Sequence, residues 1–171
     1  MIMSRALHVR ESGIEDVPTI LALMKELAAF ENLSDAIQTD EARLVEHGFG
    51  GEPRFKVLLA EAEGEVVGFL SYMIRYSIWG GAAFINLDDL YVRERARGCG
   101  AGRALMRHLA AIAVDKELPV RWELMVDNAP AKAFYAALGA TISEKLIARW
   151  TVDAARAFRA AERAPPTAAL P

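Results

Sequence analysis

A single cysteine in 171 residues leaves no partner for an internal disulfide, so Cys99 points to a reducing compartment. Histidine is scarce as well. His8, His47 and His108 are scattered, without cysteine or aspartate at metal-ligand spacing, and no metal site is expected. No apolar run approaches the length of a membrane span. The opening MIMSRALHVRES has no apolar leader core, so neither a membrane nor export is expected, and a cytoplasmic location is. Positive charge is not in excess: 20 Lys and Arg stand against 23 Asp and Glu, a net charge of −3, which argues against nucleic-acid binding through bulk electrostatics. The arginines clustered between 93 and 107 have no aromatic residues interleaved and do not change that reading. There is no internal repeat. What remains is 53% hydrophobic and 25% charged, the balance of a globular protein with one sizeable core. A single domain over residues 1–162 is expected, followed by the small, proline-rich tail RAPPTAALP (163–171), expected to be disordered.

The periodicities supply the elements. ALHVRE (6–11) reads as a strand. Ser12 and Glu15 have capping-box spacing, and Asp16 before Val17 and Pro18 is an equally good helix start. Val17, Ile20, Leu21, Met24, Leu27 and Ala28 then recur at helical spacing. A weaker helix is predicted over 39–47, with GFGGEP (48–53) as a loop. RFKVLLAEAEG and EVVGFLSYMIRYS, broken at Gly64, predict a hairpin, and AAFINLDDLYVR (82–93) a third long strand. A helix to about Lys116, a strand at VRWELMV (120–126), a short helix at APAKAFYAALG (129–139) and a last strand at EKLIARWTV (144–152) complete the chain. Together these make an α+β fold with a mixed sheet and helices on both faces.

Between the third long strand and its helix lies VRERARGCGAGRALM, with glycines at 98, 100 and 102. A strand that ends in a glycine-rich turn opening a helix is an anion site. The first helical N–H groups lack partners, the helix dipole favours negative charge, and glycine lets a phosphate approach the backbone. Arg95, Arg97 and Arg103 add cationic side chains. Neither common nucleotide loop fits. A phosphate-binding loop of the Gly-Lys-Ser/Thr kind needs other residues than Arg103 and Ala104 after Gly102, and the third glycine of a dinucleotide fingerprint is missing. Just upstream, Asp88 and Asp89 are adjacent on a predicted strand, where regular alternation sends their side chains to opposite faces.

Arg97, Gly100 and Gly102 do match R-x-x-G-x-G, which resembles the acyl-CoA signature of the GNAT (GCN5-related) N-acetyltransferase superfamily. DNAPAKAFYAALGA is similar to a later element of that superfamily through Asn128, Ala131, Tyr135, Gly139 and Ala140. MKELAAFE (24–31), LVEHGFGGEPRFKVLLAE (44–61), VVGFLSYMIRYSIWGG (66–81) and LDDLYV (87–92) resemble the diamine branch, the spermidine/spermine and thialysine acetyltransferases, so that the likeness runs nearly to residue 152.

The resemblance implies a GNAT fold, with a mostly antiparallel sheet of six to seven strands, and acetyl transfer to an amine from acetyl-CoA by direct attack, without an acyl-enzyme. It implies that the backbone from Arg97 through Gly98, Cys99, Gly100, Ala101 and Gly102 to Arg103 holds the pyrophosphate, and that the amides of Leu90 and Val92 face the pantetheine and carbonyl. Tyr135 would protonate the leaving thiolate, and Asn128 would bond the pantetheine or close its own loop. Asp88 aligns with an acidic position usually held by glutamate and, one methylene shorter, would be substrate ligand or water-mediated base. Glu26, Glu31, Tyr76, Trp79, Asp88 and Asp89 are candidates to line a slot for a small amine, since a diamine calls for spaced carboxylates and an aromatic wall. Ser77 departs from the animal enzymes of the branch, which tend to carry an acid there; that weakens the case for long polyamines and leaves room for thialysine, other amino acids or short diamines. The resemblance further implies a homodimer joined through EKLIARWTV. A GNAT enzyme acting on an amino acid, antibiotic or protein amine, and a silent acetyl-CoA-binding sensor, are the alternatives.

Overall fold

A computed structural model describes residues 7–162, so the tail from 163 lies outside the described residues. The chain divides into two compact units, the division falling between Glu123 and Leu124.

The first unit is a five-stranded sheet in the order β1-β2-β3-β4-β5, flanked by helices. Strand β1 (Leu7–Glu11) pairs antiparallel with β2 (Lys56–Ala62), β2 with β3 (Glu65–Ser77), and β3 with β4 (Ala82–Val92). The short β5 (Val120–Arg121) runs parallel to β4 at Ile85 and Asn86 alone. Between β2 and β3, Glu63 and Gly64 both take positive φ (56° and 81°), the conformation that a two-residue hairpin turn matched to strand twist requires.

Alternation along β2 divides the core in two. Leu58, Ala60 and Ala62 pack with Leu70, Ile85 and Leu87 under α3 (Ala101–Asp115), through its Leu105 and Leu109. Val57 and Leu59 face the other way, with Phe69 and Tyr91, toward α1 (Val17–Phe30) and α2 (Glu41–Phe49). Helices therefore cover both faces, as the apolar patterns predict. Pro18 occupies the first turn of α1, where its missing N–H costs nothing. The predicted pairing of Ser12 with Glu15 is not what starts this helix: the Asp16 carboxylate accepts the Gly13 N–H at 2.8 Å and both Nη groups of Arg10 at 2.6 and 2.8 Å. Asp40 caps α2 by accepting the Arg43 N–H at 2.8 Å.

The second unit holds α4 (Ala129–Ala136) and α5 (Val152–Ala161). Two expectations are corrected here. The strand read at 120–126 ends after Arg121, and 144–152 forms no strand; residues 140–151 are irregular, leading into α5, whose start Thr151 caps by accepting the Ala154 N–H. Among the described residues the sheet thus has five strands rather than six or seven. In this single chain the apolar residues of that segment stay exposed, among them Leu146, Ile147 and Trp150. A strand needs a neighbouring edge to satisfy its backbone, and no such pairing forms among the described residues.

Candidate active site

The site is built on the C-terminal half of β4 and the turn that follows it. The β3–β4 ladder slips by one residue: Tyr72 pairs with Leu87 and Ser71 with Asp89, so Asp88 is an extra residue, a β-bulge. Side-chain directions flip there. Leu87 and Leu90 both pack on the α3 side, and Tyr91 on the α1 side. Asp88 and Asp89 consequently both point to the α1 face. The expectation that they face opposite ways is overturned, because it assumed unbroken alternation.

The two carboxylates differ in setting. Asp88 is exposed, with the Asn86 amide Nδ2 donating to it at 3.5 Å. Asp89 is half-buried, and Ser71 Oγ donates to its Oδ2 at 2.7 Å while accepting the Asp89 N–H at 3.1 Å. Burial holds the Asp89 carboxyl above its ordinary range; the Ser71 hydrogen bond lowers it, and the charges of Asp88 and of Glu31, at the end of α1, raise it.

The bulge also orients the backbone. Arg93 N–H bonds Val67 of β3 at 2.9 Å and Asp89 N–H bonds Ser71. By alternation the N–H groups of Leu90 and Val92 then point to the other edge of β4, where β5 has ended opposite Asn86. Those two donors face an edge with no strand partner among the described residues.

Beyond β4 the chain makes one 3-10 turn (Glu94–Ala96) and enters the glycine turn. Gly98 and Gly100 take φ of +81° and +92°, where a side chain is strained, and a Cβ at either would meet nothing within 4 Å. Gly100 occupies the cap position of α3 without a side chain to cap it, and the first helical bond is Ala104 N–H to the Gly100 carbonyl at 2.9 Å. The N–H groups of Ala101, Gly102 and Arg103 have no carbonyl four residues back within the helix. This is the donor set that a pyrophosphate fits. The cations are unevenly deployed. Arg97 lies over the Phe30 ring at 4.4 Å and donates Nε to the Val92 carbonyl at 3.3 Å; Arg95 pairs with Glu65 at 2.8 Å; Arg103 is exposed. Cys99 is partly buried and packs against the α3 side of the core.

The other predicted residues are spread more widely. Arg93 grips Glu26 with three contacts of 2.9 to 3.1 Å, and the pair lines an open depression of about 680 Å³ with Tyr91, Glu94 and Arg95, apart from the two aspartates. Trp79 is fully exposed at the β3–β4 hairpin tip. Tyr76, four residues on from Tyr72 in an unbroken register, lies on the α3 side, opposite the aspartates. Ser71 was missed. A serine opposite a bulge carries no sequence signal, because the register is unknown until the strands are paired.

In the second unit, Asn128 Oδ1 accepts the Ala131 N–H at 3.0 Å and caps α4, which accounts for an asparagine there. Tyr135 is buried on α4 and packs edge-on against Phe134, ring centroids 5.2 Å apart; burial pushes its hydroxyl up to about 12. Among the described residues no cluster of three His, Cys, Asp or Glu has the arrangement to hold a metal, and no helix is long and apolar enough to cross a membrane.

Comparison with known proteins bears on the family and the fold. The model of the acetyltransferase (GNAT) family matches residues 21–140. A thialysine N-epsilon-acetyltransferase of Bos taurus is 38% identical over 141 residues, covering 77% of this chain and 82% of the relative. A spermidine/spermine N(1)-acetyltransferase-like protein 1 of Homo sapiens is 33% identical over 141 residues, 78% of this chain and 20% of that protein. Among solved structures, an integron cassette protein from the mobile metagenome of V. cholerae superposes with a TM-score of 0.73 at 24% identity, covering 90% of this chain and 98% of the other. The likeness thus holds in sequence and in fold, and this chain belongs to the GNAT acetyltransferase family.

Proposed function

We propose that this N-acetyltransferase transfers acetyl from acetyl-CoA to a primary amine of a small molecule of the thialysine or diamine class. The observation that carries the reading is the pair Asp88 and Asp89 on one face, with the charge of Glu31 acting on Asp89, beside a strand edge whose Leu90 and Val92 N–H groups are turned outward. A cluster of carboxylates favours a cationic amine. Two oriented backbone donors suit an oxygen that gains negative charge. Residues 1–162 serve as one catalytic domain in this reading, which the family match across 21–140 supports.

In this assignment the glycine turn from Arg97 to Arg103 holds the pyrophosphate through backbone N–H groups. When bound, acetyl-CoA supplies the thioester whose carbonyl carbon the amine attacks, so that a carbon–nitrogen bond forms and the carbon–sulfur bond breaks. An ammonium of pKa about 10 is nearly all protonated at neutral pH, so the aspartates must relieve it of a proton before its nitrogen has an electron pair to use. Tyr135, assigned on the motif it shares with the superfamily, gives a proton to the departing sulfur. Its raised proton affinity keeps the phenol protonated at neutral pH. Over the whole transfer the ammonium loses two protons, one is replaced on sulfur, and one reaches solvent.

Trp79 and Glu31 complete the proposed substrate wall; Tyr76, on the opposite face of the sheet, does not belong to it, and Glu26 joins it only if its pair with Arg93 breaks. The homodimer joined through residues 144–152 and the cytoplasmic setting belong to the same proposal. The exposed apolar residues of that segment support the dimer. The test is a CoA-release assay with acetyl-CoA against thialysine, lysine, putrescine, spermidine, spermine and a histone-tail peptide. Turnover of thialysine or a diamine, lost in Tyr135→Phe, is the expected result. Tight acetyl-CoA binding with no turnover across the panel would instead favour a sensor.

A further inference from the structure

Resting on the acetyltransferase reading, we infer that Asp89 is the carboxylate that accepts the amine's proton, and that Ser71 is the positioning residue that aims it. The bulge brings Ser71 into play. The extra residue in β4 sets Asp89 opposite Ser71, where its N–H reaches the serine hydroxyl. Ser71 Oγ fills that role at 3.1 Å and, with its own proton, bonds Asp89 Oδ2 at 2.7 Å. One hydroxyl therefore closes a small ring with the backbone and side chain of the same residue. Oδ2 is occupied and the carboxylate plane is fixed, which leaves Oδ1 for an incoming donor. Asp88 has no such hold: among the described residues its hydrogen bond is the 3.5 Å one from Asn86, and it is exposed.

The electrostatics point the same way. The charged groups on this face are Asp88 beside Asp89 on β4, Glu31 at the end of α1, Arg75 of β3, which donates to Asn86 at 3.4 Å, and Arg121 of β5, whose guanidinium lies over Phe84 at 4.6 Å. Burial, Asp88 and Glu31 raise the proton affinity of Asp89, and the Ser71 bond lowers it. A base is most effective when its pKa approaches the working pH, so long as enough of it stays ionised. Asp89 receives the first influence from its burial and neighbours, and Ser71 supplies the second. In the step itself the ammonium N–H bond breaks, Oδ1–H forms, nitrogen keeps the electron pair, and the carboxyl later returns the proton to solvent.

The experiment follows the titration of the Asp89 side-chain carboxyl by carbon NMR in the intact protein and in Ser71→Ala and Ser71→Thr. In parallel, the pH dependence of kcat/KM is measured on the amine of the panel with the highest turnover. Loss of the hydroxyl is expected to move the Asp89 midpoint, and the acid limb of kcat/KM, up by about one pH unit, since a hydrogen bond to the charged form is removed. Ser71→Thr, which keeps the hydroxyl, restores both. Should Ser71→Ala fail to fold, Ser71→Cys, nearly isosteric and a weak donor, is expected to give the same upward movement. An Asp89 midpoint indifferent to the hydroxyl overturns the role of Ser71 whatever the activity. A larger kcat loss in Asp88→Asn than in Asp89→Asn overturns the assignment of the base. A wild-type enzyme silent on every amine, with the Asp89 titration responding as described, counts against the amine reading alone.

Discussion

The two ends of one short stretch, the bulge at Asp88 and the turn at Gly98 to Gly102, do opposite things by opposite means. The turn concentrates positive potential with backbone N–H groups; the bulge concentrates negative potential with side-chain carboxyls. A site made of main chain is insensitive to most side-chain exchanges and fails when the φ it needs is forbidden. One made of carboxylates fails when a single oxygen becomes a nitrogen.

The largest effect is expected at the bulge. Asp89→Asn should lower kcat by about a thousandfold, within the range for removal of a general base, while the Kd for acetyl-CoA measured by calorimetry stays within error. An equal loss in both quantities would erase the contrast. At the other end, Gly100→Val puts a β-branched residue at φ +92° and should weaken acetyl-CoA binding about a hundredfold by distorting the turn. Its kcat at saturating acetyl-CoA should suffer far less.

A smaller effect tests the scaffold away from both. Arg10 holds the Asp16 carboxyl below the ordinary carboxylate range, so this ion pair stabilises the fold above the unfolded-state pKa of Asp16 and ceases to do so as pH falls through the lower folded value. Asp16→Asn should cost about 2 kcal/mol at pH 7 by thermal or urea unfolding, and the difference from wild type should shrink toward acid pH. Smallest of all is Arg97→Ala. With its guanidinium over Phe30 rather than free, it should raise the KM for acetyl-CoA only about threefold, and a much larger rise would mean the turn relies on side-chain charge after all.

Much of the turn was legible in the sequence because it is written in residue types: glycine where φ must be positive, arginine beside it, a helical pattern after it. The hairpin at Gly64 and the two helical faces were legible for the same reason. The bulge was not. Two neighbouring aspartates on a strand alternate by rule, and only the pairing of Ser71 with Asp89 and Tyr72 with Leu87 reveals the slip that brings them together. Ser71 escaped notice on the same ground. The strand expected at 144–152 does not form: a strand is a relation between two segments, and none of the described strands pairs with this one. The helix beginning at Val152 was overlooked, although Thr151 followed by Asp153 is an acceptable helix start.

The slip at Asp88 has a consequence for how this face could be redesigned. Leu87 and Leu90, on either side of the two aspartates, already pack on the same side of the sheet. Deleting one aspartate would restore a regular ladder with every leucine still in its place, and would leave one carboxylate where there are two. Charge on this surface is therefore a modular insertion: it can be halved or doubled by a single codon without asking the hydrophobic interior to rearrange.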